Sequence, residues 1–395
     1  MEAMKIELHI LQNFAPSNLN RDDTGAPKDC ELGGWRRARI SSQCQKRAVR
    51  EQFRLDGLLA HDELATRTKR LAHQVTQRLV EEHQVDPEVA SQLAIGAIEG
   101  VGFGRNTKGE GEDLWKTEYL LFVPRRVVHE LARLIAANQE KLMGLVGEPD
   151  DGGKKKGKKS KKDAYDTAVR KQVESLFEDA RGAVDLALFG RMIADKPKWN
   201  VDAACQVAHA ISTNRLQSDF DFFTAVDDFK PNDTAGSDMM GTVQFNSSCY
   251  YRYAVLDVKS LRKNLQVDVA DELVSKSIGA FVRAFVSAIP TGKQNSMAAH
   301  NFPSYVLAVV RNGGQALSMT NAFLKPARPN EDRDLVDESV SKLEGYFGRL
   351  ADVRGPSFAM SWADRDLADA DGVLRAARLN ELFDQVASRA TEATS

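Results

Sequence analysis

From Lys5 to Leu11 apolar and polar residues alternate, with Ile6, Leu8 and Ile10 on one face, which predicts a half-buried strand. His9 falls on the other face and reads as a sheet residue. A polar stretch follows from Asn13 to Gly34, broken by Pro16, Pro27 and the Gly33–Gly34 pair. A loop of about twenty residues inside a compact domain is unusually long, and such loops tend to carry function. Arg37–Ile40 predicts a short strand, and Ser41 or Ser42 then caps a helix running to about Phe53. Four stretches with helical periodicity come next, His61–Glu82, Pro87–Ile98, Glu118–Leu142 and Asp163–Arg181. Beyond Arg181 strands return at Val184–Phe189, Ala203–Ser212, Ser248–Val258, Met297–Ala299, Tyr305–Arg311, Leu317–Phe323 and Ser357–Trp362. Helices near Asp271–Ala288, Asp332–Leu350 and Leu374–Ala390 interleave with them. This order predicts an α+β sheet domain with two excursions, one helical and one from Ser212 to Asn246.

Composition narrows the class. The 395 residues are 42% hydrophobic and 28% charged, a globular balance that excludes collagen-like, wholly disordered and disulfide-stapled chains. Cys30, Cys44, Cys205 and Cys249 have no paired spacing, which fits free thiols in a reducing cytoplasm and gives no metal-site pattern. No apolar run is long enough for a membrane span, and the charged opening residues do not read as a secretory signal. A cytoplasmic protein with no membrane partner is therefore expected.

The net charge of −2 hides a strong asymmetry. Lys28 to Arg54 holds eight basic residues against three acids, whereas Ser212 to Asn246 holds two against six. Such local fields suit a polyanion at the first segment and self-docking at the second. In the helix after Ser41, Gln43, Lys46, Arg47, Arg50 and Arg54 share one arc, opposite Cys44, Ala48 and Val49. A solvated helix face mixes signs, but the one acid here is Glu51, at the stripe's edge. Gly100–Gly104 follows a helix and lacks the lysine of a phosphate loop, so it is not read as a nucleotide site. Gly152–Lys162, with seven lysines, reads as a disordered linker.

Several blocks resemble one family. They are Ile6–Gln12, Pro16–Asp23, Lys28–Asp29, Gly33–Ala48, Val184–Met192, Ala208–Thr213, Asp219–Asp228, Tyr250–Tyr253 and Ser318–Phe323. In order along the chain they resemble the CasC family, the backbone subunit of the type I-E CRISPR surveillance complex, Cascade. Two features depart from that pattern. Gln45 stands midway across the helix's apolar face where Leu is expected, which predicts shallower seating, and the lysine tract is extra.

The resemblance implies a right hand: a palm with a modified RNA-recognition (RRM, ferredoxin-like) fold, a helical fingers domain and a thumb. On this chain the palm would be 1–59, 183–211 and 248–395. The fingers would be 60–182, with a disordered lysine-rich loop at 150–162, and the thumb 212–247. Copies would stack head to tail along the spacer of a crRNA, kink it at intervals with their thumbs, and present it for pairing with target DNA beside other Cascade subunits. A coat for any guide must hold phosphates and shape rather than base edges. Arg21, Lys28, Lys46, Arg47 and Arg50, with Ser41 and Gln43, are the expected backbone contacts. Phe223, Thr224 and Val226 are the expected thumb wedge, and Met192 packs on bases from the palm side. Phe220 and Phe222 are expected as buried anchors of the thumb, whose aspartates face the next copy.

No catalytic residue, metal or cofactor is expected. The rival reading is a metal-dependent RNA endonuclease, as in type III backbone subunits, that uses the loop carboxylates Asp22 and Asp23. A general RNA chaperone would keep the basic patch without the self-docking thumb.

Overall fold

The computed structural model describes residues 4–104, 116–142, 167–178, 182–225, 239–266, 270–355 and 357–392. The lysine tract, Val226 and the aspartates at 227, 228, 233 and 238 lie outside them. Among the described residues no helix is long and apolar enough to cross a membrane.

The chain divides into two compact units. The first comprises residues 1–58, 205–259 and 271–395 and is built on one large sheet. Its strands are β1 (Met4–Ser17), β2 (Asp29–Leu32) and β3 (Trp35–Ile40), which leads into helix α1 (Ser42–Leu55). The second unit, residues 59–204 and 260–270, holds the β4 (Ala65–Thr68) and β5 (Leu121–Pro124) ladder with α2 (Leu71–His83), α3 (Pro87–Gly100), α4 (Arg125–Ala137), α5 (Thr167–Glu178) and α6 (Val184–Phe189). The first unit then resumes with β6 (Cys205–Val207), β7 (Ala210–Ser212), β8 (Asp219–Ala225), β9 (Met239–Asp257), α7 (Ala270–Ser287) and β10 (Tyr305–Asn312). It ends with α8 (Leu335–Arg349), β11 (Phe358–Ala363), β12 (Leu374–Arg375) and α9 (Leu379–Glu392).

The sheet runs β12-β11-β10-β1-β9-β7-β3-β2, with β6 and β8 also pairing with β9. β1 is central, antiparallel to β10 on one side and β9 on the other. The sequence predicts a half-buried β1, yet both of its faces are covered. Leu11, Tyr251, Tyr253, Tyr305 and Leu307 pack on Val340, Leu343 and Phe347 of α8. On the opposite face Arg252 donates to the Phe285 and Val286 carbonyls of α7. The polar positions of β1 are therefore buried with partners. Glu7 accepts from Tyr253 Oη and pairs with Arg311 at 3.2 Å, and burial pushes its carboxyl pKa up. His9 Nδ1 meets Tyr251 Oη at 2.8 Å, and burial drops its pKa to about 3, which keeps it neutral.

The second unit has its own core. Val75 and Leu79 lie one turn apart on α2 and share that core with Leu93 and Ala97 of α3, Leu131 and Ile135 of α4, and Phe177 and Trp199. Phe177 and Trp199 stack with their ring centroids 5.3 Å apart, and Phe103 meets both rings.

Five expectations about local structure fail. The stretches read as single helices at His61–Glu82 and Glu118–Leu142 each begin with a strand, β4 and β5, which pair with each other. Val184–Phe189, read as a strand, is the helix α6, because a short apolar run fits either period. Its Asp185 Oδ1 accepts the Ala65 N–H at 2.6 Å, which ties residues 183–204 to this unit rather than to the sheet unit. In the first unit, Leu317–Phe323 forms a loop and a 3-10 turn, and Met297–Ala299 ends a short helical turn.

Candidate nucleic-acid interface

Ser41 starts α1 as predicted: its backbone is extended and its Oγ accepts the Cys44 N–H at 3.3 Å. Ser42 N–H donates to His209 Nδ1 at 3.1 Å. Gln45, Ala48, Val49 and Phe53 are buried. The expected shallow seating at Gln45 does not occur, because its Nε2 donates to the Ala208 carbonyl at 2.8 Å and its Oε1 accepts from Arg252. Gln43 and Arg47 are exposed, and Lys46 and Arg50 half-buried, on the other side. Arg47 pairs with Glu51 at 3.0 Å, an exposed i,i+4 contact of about 0.3–0.5 kcal/mol that a phosphate can replace.

The long loop folds back onto this helix. Asn20 Oδ1 accepts the Ser41 N–H at 2.8 Å, and its carbonyl accepts the Lys28 N–H. Arg21 and Lys28 thereby join the stripe. The field they create is visible in neighbouring groups. His209 is held below its ordinary pKa by burial and then by Arg39 and Lys28. Burial raises the Cys44 thiol, and Arg47 and Lys28 oppose that rise.

Three adjoining hollows lead away from α1. The first, about 360 Å³, is lined by Arg21, Arg47 and Gly292. The second, about 410 Å³, shares Arg21 and adds Lys293 and Phe220. The third, about 680 Å³, shares Lys293 and Phe220 and adds Phe223 and Phe245. Gly292 presses so closely on the Leu19 carbonyl that a side chain there would overlap it, which fixes Lys293 beside Arg21. Sequence reasoning missed Lys293, since nothing local to it links residue 293 to residue 21.

The hollows end on the β8–β9 hairpin. Phe220, Phe222 and Met240 are 67%, 63% and 67% exposed, so the two phenylalanines are surface groups and not buried anchors. Phe223 is less exposed because its ring lies over Gly241, where a side chain would overlap it. Thr224 is exposed, and Val226 lies outside the described residues.

One member of the basic run is structural, and one expected contact stands elsewhere. Arg37, counted in the basic run, is fully buried and donates to the carbonyls of Ser212, Thr213 and Phe323. Met192 belongs to the second unit, not to the sheet unit where it was expected. It is 87% exposed beside Arg191, which is buried and donates to the carbonyls of Phe122, Phe177 and Trp199. Asp22 shapes its own loop, since its Oδ1 accepts from Thr24 Oγ1, Thr24 N and Ala26 N. These bonds, the Thr24 hydroxyl first, hold its carboxyl below the usual range. Among the described residues no cluster of three His, Cys, Asp or Glu could hold a metal ion.

The sequence model of the CT1975-like protein family matches residues 6–387. A solved chain described as "CRISPR RNA-guided surveillance complex, pre-nicking" is 29% identical, with a TM-score of 0.81 over 98% of this chain and 100% of that one. A second, described as "CRISPR RNA-guided surveillance complex", shares the fold at 23% identity, with a TM-score of 0.73 over 97% and 99%. A comparison with curated proteins finds no match.

Proposed function

The chain belongs to the CT1975-like protein family, and from that premise we propose that it is a crRNA-binding backbone subunit of a Cascade-type surveillance complex. One observation carries the reading: a cationic stripe on α1 continues through Arg21 and Lys293 to exposed phenylalanines on a projecting hairpin. Cations along such a path hold a sugar-phosphate backbone without reading its sequence, and exposed rings can separate or stack bases. The likeness to a surveillance-complex chain at 29% identity over nearly the whole length supports the same role.

In its finer form the proposal is a type I-E subunit in the cytoplasm that polymerises head to tail along the spacer. It kinks the guide at intervals and offers it to target DNA beside other Cascade subunits. Met192 is a base contact in this reading. The role is that of a coat and not a nuclease. Asp22 already commits its Oδ1 to the loop, so the endonuclease alternative gains no support from the geometry.

The test is RNA retention. Lys46→Ala with Arg50→Ala should weaken binding about tenfold for every guide sequence and lower the log-log salt slope by about 1.4. Retention of all guides at wild-type strength, or loss of one guide alone, would overturn the reading. Incubation with matching RNA and Mg²⁺ should leave that RNA intact; periodic cuts would restore the endonuclease.

A further inference from the structure

We propose that Arg215 and Arg328, held against the ring of Trp35, form a second phosphate-binding site that takes a nucleic-acid strand on the sheet face opposite α1. The two faces are assigned by alternation along β3. Ala38 and Ile40 point to the side where Cys44 of α1 packs. Arg37 points the other way and reaches the carbonyl of Phe323, whose ring packs with Tyr251 and α8. Trp35 shares the Arg37 face. Along the six residues of β3 it stands about 20 Å from the start of α1.

The site is built, not incidental. Arg37 gathers the carbonyls of Ser212, Thr213 and Phe323 around one buried guanidinium. Leu216 N–H donates to the Arg36 carbonyl, and Ala327 N–H donates to the Thr213 carbonyl, both at 2.8 Å. Three segments remote in sequence are thus locked together, and Arg215 and Arg328 leave two of them above the indole. Their guanidinium carbons lie 5.5 and 5.7 Å from the ring centroid, within cation–π range. Both side chains are exposed, and among the described residues neither forms an ion pair.

A guanidinium held over a ring keeps N–H donors for a phosphate, which it grips through two parallel hydrogen bonds. Two such forks on one ring repel each other until anions arrive. Successive phosphates of a single strand neutralise both, and the exposed part of the indole offers a base a surface to stack on. A lone carboxylate of a protein partner would satisfy one fork and leave the other.

This inference does not depend on the reading of α1. The experiment uses the full chain, first free and then loaded with guide RNA, and follows a fluorescent oligodeoxythymidine by anisotropy at several salt concentrations. Arg215→Gln with Arg328→Gln should bind it at least about fivefold more weakly and lower the salt slope by about 1.4, in both forms of the protein. Arg215→Lys with Arg328→Lys should recover the slope but not the full affinity. Equal affinity and slope for wild type and the Gln variant would overturn the proposal. So would poly-glutamate binding that the Gln variant loses while oligodeoxythymidine binding stays unchanged, which would mark a protein-docking site. Lys46→Ala with Arg50→Ala separates the two sites. Adding Arg215→Gln and Arg328→Gln to that background should still weaken oligodeoxythymidine binding by the same factor, and no further loss would overturn the second site.

Discussion

One strand passes through two environments. From Ser248 to Leu256 every residue of β9 is buried, flanked by β1 and covered on both faces. From Met240 to Phe245 the same strand pairs with β8, and its residues are exposed or half-buried. In the inner part polar side chains find partners: Arg252 reaches Gln12 and two α7 carbonyls. In the outer part it is apolar groups that meet solvent, Met240 of β9 and Phe220 and Phe222 of its partner β8. The inner half is shaped for stability and the outer half for contact with something else.

Three substitutions test that contrast, in falling order of effect on stability. Arg252→Met strands the Gln12 amide oxygen and the Phe285 carbonyl in the interior, so urea unfolding should show a loss of about 3–5 kcal/mol. A loss below about 1 kcal/mol would mean that water reaches the inner half. Gln45→Leu matches the residue type expected on an apolar helix face, yet it removes the bond to Ala208. It should destabilise by about 1–3 kcal/mol, and a gain in stability would show that the bond is dispensable. Phe220→Ser with Phe222→Ser should shift stability by no more than about 0.5 kcal/mol while impairing assembly on guide RNA in gel filtration. A melted protein would make the outer half a core after all.

How much of this was legible depended on distance along the chain. The cap at Ser41 and the stripe of Lys46, Arg47 and Arg50 are local patterns of a helix, and the sequence shows them directly. Arg37 sits in the same basic run but is structural, because its acceptors lie at residues 212–214 and 323–324. The place of Lys293 beside Arg21 is hidden from local patterns for the same reason. Full burial of β1 could not be read from its alternation, since the layers that cover Glu7 and His9 come from the distant tyrosines of β9 and from α8. The exposure of Phe220 and Phe222 is hidden in the sequence because alternating aromatic residues look alike whether they enter a core or await a partner.

The central position of β1 has a consequence for biogenesis. Lys5 pairs with Asp257 and with Arg311, so β1 is made well before either of the strands that flank it. At about 5–20 residues per second the wait for β10 is at least about fifteen seconds. During that interval Ile6, Leu8 and Ile10 form an apolar edge with no sheet to join, so newly made chains should depend on chaperones more than the finished fold suggests.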